Sequence, residues 1–431
     1  MSCQYPSLVA VTGTLGAGAT SPLVAVPVAT SPGLLVSNAP EQICSGTLNG
    51  PDKGNGAWEF LGTPRNLCKV ELNSAIPNRV RVFLWHISRF LIPTFFGITV
   101  RSIEPFNGQI SNIRGQVHNG MTTDLSIPGN CLAAAQLFGT LDPINLAPMV
   151  LPAMVDKVVW SAEVAPHDGI ESHYNLIAAV IEFDISGTVT DLTIRTALSI
   201  TGMTASDFGS INADIVDNQN NYGDLEVRHN RGYWAHADIN MNLPGELNAT
   251  LLNPPPKFLE WEFCNVPGPE ATYFSVNNSL AKKLPNLSLE RPNKAAYGAN
   301  LRYTATYHNY STNSLGRVYG LIRARGLKPA KYFGAAKFAR VDIIPSINSS
   351  QVKLQPIPSP DYSPPSAPPI ATMLDLTSAY PAGSNIGFVD VSPSSGGTVE
   401  FRIANAGGAA TPANIILSRE LLWMTEVVGG N

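Results

Sequence analysis

Hydrophobic residues occur in short runs along the chain, and the most apolar stretch is VRVFLWHISRFLIPTFFGITV, residues 80–100. Arg81, His86 and Arg89 interrupt it, and a basic side chain costs roughly 2.5–3.5 kcal/mol at the centre of a bilayer. Pro93 would break the hydrogen bonding of a helix, and the many β-branched and aromatic residues favour strands. The pattern therefore predicts two β-strands with a break near Pro93, and no membrane span.

The first of these strands is apolar at successive positions rather than at alternate ones. Val80, Val82 and Leu84 would lie on one face, and the other would carry Phe83, Trp85 and Ile87. Because successive side chains of a strand point to opposite faces, both faces should be covered. We expect this strand inside a sandwich or beneath a neighbouring subunit.

Similar runs recur from Trp58 to about residue 240, with Gly, Pro, Asn and Asp between them. They predict a first β-sandwich over residues 56–245. The runs are AWEFLG, CKVEL, FFGITVRSI, KVVWSAEVA, NLIAAVIEFDI and TDLTIRTALSIT. Residues 128–141 alone look helical, because an apolar run is opened by Pro and Asn and closed by Gly139.

The β pattern restarts after NPPPKF and predicts a second β domain over residues 246–354. Residues 355–370 contain too many prolines for a central strand and should form an extended connector. Residues 371–431 return to strand-like runs and would complete the second domain or cap a neighbour. The predicted strands are FLEWEFCNV, TYFSVNN, NLRYTATYHNY, RVYGLIRARG, FARVDIIP, NIGFVDVS, TVEFRIANA and LLWMTEVV. The fold class is all-β, an antiparallel sandwich.

Residues 1–55 differ from the rest, since Lys53 is their first basic residue and Ala, Gly, Pro, Ser, Thr and Val dominate. We expect an extended N-terminal arm, ordered only by what it lies against. The segment lacks a basic n-region, so a signal peptide is not expected. The Gly-rich GTLGAGAT at residues 13–20 lacks the Lys of a phosphate-binding loop and is interpreted as part of this arm.

Composition agrees with a β protein, since Gly 36 and Pro 35 break the chain often and only 14% of residues are charged. The net charge of -4 argues against a general nucleic-acid-binding protein. The cysteines form no CxxC pair or regular framework and predict mostly buried thiols in a reducing compartment. They are Cys3, Cys44, Cys68, Cys131 and Cys264.

Residues 165–173, APHDGIESH, hold four side chains able to ligate a metal. They are His167, Asp168, Glu171 and His173. Because no second cluster accompanies them, we favour a polar surface loop over a metal site. Residues 214–224, DIVDNQNNYGD, offer calcium-type oxygen ligands, but Tyr222 stands where the turn glycine of an EF-hand would be. A turn is the favoured interpretation there, and calcium the alternative.

No catalytic motif is present, because the GxSxG elbow of hydrolases is absent. We therefore predict no enzyme, no catalytic residue and no cofactor, with a hydrolase using Asp214 and Asp217 as a remote alternative. Five sequons, at Asn248, Asn277, Asn286, Asn309 and Asn348, could belong to a secreted glycoprotein. Without a signal peptide they are interpreted as chance.

Charge is distributed unevenly, since residues 291–341 contain no acidic side chain while residues 163–226 are rich in them. The basic segment predicts contact with RNA phosphates or with an acidic region of another copy, and a solvated strand face is the alternative. The candidate contact residues are Arg317, Arg323, Arg325, Lys328, Lys331, Lys337 and Arg340.

An uncharged arm, successive β domains of roughly 190 residues, proline-rich crossovers and no catalytic motif together resemble a coat protein of a non-enveloped icosahedral RNA virus. The chain is similar in style to picorna-like capsid proteins, particularly the comovirus large subunit, in which one chain carries two jelly rolls. It lacks the Arg-rich genome-binding arm of many simple coats, as picorna-like capsids generally do. The resemblance implies a jelly-roll fold and self-assembly.

On this basis we expect a structural subunit of an icosahedral capsid enclosing an RNA genome, assembled in the host cytoplasm and located in the virion. Its partners would be copies of itself, companion coat proteins and viral RNA; the host receptor is unknown. The alternative is a carbohydrate-binding or adhesin-like sandwich. In that case exposed aromatic residues such as Trp234, Tyr233 or Tyr310 would stack on sugars.

Overall fold

A computed structural model describes most of the two β regions. The described residues are 24–38, 41–45, 57–60, 64–72, 76–104, 107–170, 172–188, 191–208, 231–250, 258–263, 269–275, 293, 295–324, 333–340, 372–375, 384–405 and 413–419.

Short strands dominate the described residues. Those of the first half are β1 (Val26–Pro27), β2 (Gly33–Ser37), β3 (Gln42–Ser45), β4 (Ala57–Phe60), β5 (Arg65–Leu72), β6 (Arg79–Ser88), β7 (Thr94–Arg101), β8 (Asn107–Thr122), β9 (Asp142–Asn145), β10 (Lys157–Val164), β11 (Tyr174–Thr188), β12 (Leu192–Ser199) and β13 (Arg231–Trp234). Those of the second half are β14 (Asp238–Asn248), β15 (Phe258–Phe263), β16 (Asn300–His308), β17 (Gly316–Ala324), β18 (Phe333–Arg340), β19 (Thr372–Asp375), β20 (Ser384–Val391), β21 (Gly396–Asn405) and β22 (Ala413–Ser418). The helices are α1 (Ser126–Phe138), α2 (Ala205–Phe208) and α3 (Pro269–Tyr273).

Two sheets face each other in the first half of the chain. Sheet 1 has the order β13-β2-β6-β11-β8-β9, with β3 and β4 attached beside β6, and sheet 2 has the order β10-β7-β12-β5. Val82 and Leu84 of β6 and Ile98 and Val100 of β7 belong to one buried cluster between them. The two strands predicted from residues 80–100, with a break at Pro93, are thus confirmed.

The other face of sheet 1 is also covered, as the apolar pattern of β6 predicts. Phe83 and Trp85 belong to a second buried cluster with Leu132 of α1. Tyr297, in the turn before β16, stacks on Phe83 with ring centroids 5.6 Å apart. The predicted helix is confirmed as α1, which ends at Gly139 with a left-handed φ of 64° and backbone bonds to the last turn.

The second half of the chain forms another facing pair. Sheet 3 has the order β1-β14-β16-β21-β18-β19, and sheet 4 has the order β15-β22-β17-β20. Alternate residues of β16, such as Leu301 and Tyr303, pack with Phe401 of β21 and Ile415 of β22 in the second buried cluster. The chain is therefore an all-β protein built of packed sheets.

The two halves have the same order of strands. The strands of sheet 1, in the order β13-β2-β6-β11-β8-β9, correspond one by one to those of sheet 3, in the order β1-β14-β16-β21-β18-β19. The strands of sheet 2, in the order β10-β7-β12-β5, correspond to those of sheet 4 when sheet 4 is taken in the reverse order, β20-β17-β22-β15. The senses agree as well, because β2 runs parallel to β6 and β14 parallel to β16, while the other corresponding neighbours are antiparallel. The sequence contains no internal repeat from which this repeated topology could be predicted.

The N-terminal segment contributes to both sheet pairs. Residues of β1 pair with β14 at the edge of sheet 3, whereas β2 lies inside sheet 1 between β13 and β6. Leu34, Leu35 and Val36 are fully buried there. Residues 33–37 of the segment assigned to an arm are therefore part of the core.

Several sequence expectations need correction in detail. In the run TYFSVNN, predicted as a strand, Thr272 and Tyr273 belong to helix α3 and Phe274 and Ser275 follow it in a turn, while residues 276–278 lie outside the described residues. Mostly buried cysteines were expected, but of the two described side chains Cys68 is buried and Cys131 is exposed. The run LLWMTEVV and the proline-rich residues 355–370 lie outside the described residues. Among the helices described, none is long and apolar enough to cross a membrane.

Candidate functional site

A buried ion network joins β6 of sheet 1 to β14 of sheet 3. Arg81 on β6 donates from Nε to Glu182 Oε1 at 2.6 Å and from Nη1 to Asp238 Oδ1 at 3.3 Å. The same guanidinium donates to the carbonyl oxygen of Gly298 at 3.0 Å. Burial alone would lower the pKa of Arg81, but Glu182 and Asp238 outweigh it and raise that pKa. Arg302 donates to the second oxygen of Asp238 at 3.3 Å.

A polar cleft of about 370 Å³ opens beside this network. Arg79 and Asp184 form an ion pair of 2.7 Å there, and Asn112 donates to the same carboxylate at 2.8 Å. Arg114 is exposed at the cleft, and Gln136 of α1 donates to the carbonyl oxygen of Ala299 at 3.0 Å. The contacts at Asp184 hold β6, β8 and β11 of sheet 1 together, and the contact of Gln136 joins α1 to the second half of the chain, so both have a structural role.

The register of β6 and β11 explains how two residues of the acidic middle segment, Glu182 and Asp184, are neutralised within the chain. Arg79 lies opposite Asp184, and Arg81 lies opposite Glu182. Sequence reasoning missed these pairs, although basic residues at 79 and 81 and acidic residues at 182 and 184 share the same two-residue spacing. Finding them required the strand register, which the pattern alone does not set.

The described residues of the loop 165–173, which do not include Glu171, are organised around the Arg89 guanidinium rather than around a metal ion. Arg89 Nη1 lies 3.0 Å from His167 Nε2 and donates to the carbonyl oxygen of His173 at 2.9 Å. His173 Nδ1 lies 2.5 Å from Asp168 Oδ2. The N–H of Ile170 and the His173 ring lower the pKa of Asp168. Among the described residues no group of metal ligands occurs, and a guanidinium at this ring would repel a metal.

One of the predicted basic contact residues can be placed with its side chain. Arg317 is the second residue of β17, half exposed, and donates from Nε to Asp390 Oδ1 on β20 at 2.7 Å. Its guanidinium also lies 4.1 Å from the ring centroid of Phe388. Arg323 lies in β17, and Lys337 and Arg340 in β18, but their side chains are outside the described residues, as are Arg325, Lys328 and Lys331. Asp214, Asp217 and the Gly-rich residues 13–20 are also outside them.

The aromatic residues considered for sugar stacking are mostly buried. Tyr233 and Trp234 are each 1% exposed in β13, which is the opposite of what a carbohydrate platform requires. Burial raises the pKa of Tyr233, and Trp234 Nε1 donates to the carbonyl oxygen of Ser275 at 3.2 Å. Tyr310 is 61% exposed and donates to Glu246 Oε1 at 2.5 Å. The expectation that Tyr233 and Trp234 are exposed is wrong.

One of the sequons has a structural role. Asn309, in a sequon, is fully buried, and its Nδ2 donates to the carbonyl oxygens of Ser314, Val391 and Ser392 at 2.9–3.1 Å. A glycan cannot be attached to an amide nitrogen enclosed in this way. The chance interpretation of this sequon is therefore supported.

A serine and a histidine meet in the core of the first sheet pair. Ser37 Oγ lies 3.0 Å from His86 Nε2 and 2.7 Å from Thr196 Oγ1. All three residues are fully buried between sheets 1 and 2. Because a substrate cannot reach them, they act as a hydrogen-bonded polar contact between the sheets.

No protein-family model matches the sequence, and no curated protein matches it either. Any function must therefore be inferred from the residues of the chain itself.

Proposed function

We propose that the chain is a structural subunit of an icosahedral viral capsid, which assembles with further copies or companion coat proteins around an RNA genome. The observation that carries the proposal is the repeated strand order of the two sheet pairs. On this proposal each sheet pair is a jelly roll, so the chain carries two such domains, the first including β2 (Gly33–Ser37) and the second beginning with β14 (Asp238–Asn248).

The jelly-roll assignment rests on how the chain alternates between sheets. From β5 to β8, successive strands lie in sheet 2, sheet 1, sheet 2 and sheet 1, and β10 to β13 alternate in the same way. A jelly roll packs two antiparallel sheets that are built from two Greek keys. Sheets 2 and 4 are antiparallel throughout and share one strand order, β5-β12-β7-β10 and β15-β22-β17-β20, whereas sheets 1 and 3 include the parallel pairs β2 with β6 and β14 with β16. Greek-key connections of this kind give a rigid block whose loops can vary.

The chemistry of the described side chains fits a structural protein better than a catalyst or a lectin. The buried polar groups at Arg81, Ser37 and Asn309 are used in hydrogen bonds that hold elements together. Two of the three aromatic residues considered for sugar binding are buried. A capsid subunit would act through its surfaces, in the virion, after assembly in the cytoplasm.

Genome contact remains a proposal for the basic segment Arg317–Arg340. Arg317 is already paired with Asp390, so the other candidates would carry most of the phosphate contact. They are Arg323, Arg325, Lys328, Lys331, Lys337 and Arg340.

The experiment is to express the full chain, isolate sedimenting particles and measure nuclease-protected RNA. Replacing Arg323, Arg325, Lys328 and Lys331 together by Gln should lower particle yield or RNA content, and the strong salt dependence expected of the intact protein should become weaker in the variant. The matched control is Arg317→Gln, which removes a charge that is already paired. Equal yield and RNA content in both variants would contradict genome or subunit contact by the basic segment, and an absence of particles at every salt concentration would contradict the capsid role.

A further inference from the structure

Tyr310 differs from the other aromatic side chains whose exposure the structure describes, because it alone is exposed, at 61%. It lies in the loop between β16 and β17, at one end of the second sheet pair. A single exposed apolar residue is common and indicates nothing by itself. The way in which its neighbours hold the ring is what distinguishes Tyr310.

The ring of Tyr310 is held from two sides. Its hydroxyl donates to Glu246 Oε1 at 2.5 Å, which raises the pKa of Tyr310 and keeps the hydroxyl protonated at neutral pH. Its ring centroid lies 4.2 Å from that of His308. His308 lies opposite Gly396, where an added Cβ would come within 2.5 Å of the imidazole Nδ1, so the glycine leaves room for this ring. An aromatic ring fixed in advance loses little conformational freedom when a ligand stacks on it.

The loop that carries Tyr310 is fastened to the loop between β20 and β21. The N–H of Asn309 donates to the carbonyl oxygen of Ser395 at 2.7 Å. On the other side of Tyr310, the N–H of Ser394 donates to the carbonyl oxygen of Ser311 at 2.7 Å. Because the side chain of Asn309 is also buried among carbonyl oxygens, the two loops form one preorganised surface around the ring.

This surface is rich in hydroxyl and amide groups. Its two segments are YSTNSL at residues 310–315 and SPSS at residues 392–395, and Thr312, Asn313 and Ser392 are exposed. Hydroxyl and amide groups can both donate and accept hydrogen bonds, as sugar hydroxyls do. Antibody loops combine the same residue types, in which tyrosine supplies rigid contact area and serine and asparagine supply adaptable hydrogen bonds.

The charges of this surface disfavour an anionic ligand. Residues 309–316 and 392–397 contain no charged side chain, and Arg317, which follows the first loop, is paired with Asp390. The carboxylate of Glu246 would repel an RNA phosphate or a sialic acid. No described residue bonds to Glu246 Oε2, so this oxygen can accept a hydrogen bond from a neutral hydroxyl. A neutral sugar therefore fits the surface better than a nucleic acid.

We propose that Tyr310, with Glu246 and the two loops around it, binds a neutral sugar unit of a glycan. The C–H groups on one face of the sugar would stack on the open, electron-rich face of the Tyr310 ring. The sugar hydroxyls would bond to Glu246 and to the side chains of the loops. The binding goes beyond the proposed assembly role and does not depend on it, because one copy of the chain carries every group of the site.

Saturation-transfer NMR on the full chain tests the site. The aromatic protons of the protein are irradiated in the presence of the methyl glycosides of galactose, glucose, mannose and N-acetylglucosamine, or of sialyllactose. At least one neutral glycoside should receive saturation, and Tyr310→Ala should weaken its binding by roughly tenfold or more. The matched control is Leu315→Ala, at a side chain 76% exposed in the same loop, which should bind within about twofold of wild type.

A second variant tests the part played by charge. Glu246→Gln keeps an acceptor for the Tyr310 hydroxyl but removes the carboxylate, so it should retain the neutral sugar and bind sialyllactose better than wild type does. Wild-type protein that binds no neutral glycoside, that prefers sialyllactose, or that binds no better than Tyr310→Ala would overturn the proposal. Particle formation is measured separately, so either proposal can fail while the other stands. Because these side chains are exposed, the thermal midpoint of each variant should match that of wild type.

Discussion

Arg81 on β6 of sheet 1 donates a hydrogen bond of 3.3 Å to Asp238, the first residue of β14 in sheet 3. The contact joins residues 157 positions apart in the sequence, and both side chains are at least nine-tenths buried. It fixes how the second half of the chain lies on the first, because Glu182 and Gly298 engage the same guanidinium.

Replacing Arg81 by Leu should lower the free energy of unfolding by about 3–5 kcal/mol, since Glu182 loses its buried cation and Asp238 keeps only its contact with Arg302. The matched control is Arg79→Leu, whose pair with Asp184 is half exposed and should change stability by about 1 kcal/mol or less. Urea unfolding measures both. Similar losses in the two variants would contradict a special role for the buried network.

Gly298 should not tolerate a side chain. Its φ is +73°, and an added Cβ would lie 2.8 Å from both Leu34 Cδ1 and Phe83 Cβ. Gly298→Ala should therefore destabilise the protein by about 1–3 kcal/mol, through backbone strain and overpacking. At Gly120 an added Cβ meets open space, so Gly120→Ala is the control and should leave the thermal midpoint nearly unchanged.

Residues 33–37 are predicted to be indispensable for folding, in contrast to a peripheral arm. Leu35→Ala removes a fully buried side chain between sheets 1 and 2 and should cost about 2–5 kcal/mol. Val26→Ala, at a side chain 53% exposed in β1, should change stability by about 0.5 kcal/mol or less. Equal effects in denaturant unfolding would refute the core position of β2.

Asp184 should contribute to the acid sensitivity of the fold. Partial burial opposes its ionisation, but hydrogen bonds from Arg79 and Asn112 outweigh it and hold the pKa of Asp184 below its usual value. A depressed pKa stabilises the folded state above the unfolded value of about 3.9, and this contribution is lost as the pH falls through the folded value. Asp184→Asn should be less stable than wild type at pH 6 and approach it below about pH 4. A constant difference across this range would contradict the assignment.

The sequence predicts the central strands well, because β6 and β11 are apolar at successive positions and no helix tolerates Pro93. It does not predict β8, whose residues NGQISNIRGQVHNGMT are polar and rich in Gly and Asn. That strand forms because it pairs with β11 over almost its full length. Tertiary pairing overrides local preference there.

The ion pairs of the charged residues could not be predicted from the sequence either. A segment without acidic residues is visible in the sequence, but the partners of Arg81, Arg302 and Arg317 are set by folding across long separations. Likewise, the burial of Tyr233 and Trp234 follows from the pairing of β13 with β2. A residue type indicates the interactions that are available, whereas the register decides which of them form.

The assembly role is tested most directly by the native mass and shape of the purified full chain. Light scattering and negative-stain electron microscopy at low and high salt should show closed shells or symmetric capsomers built from many copies. A protein that remains monomeric under every condition would contradict the proposed capsid function.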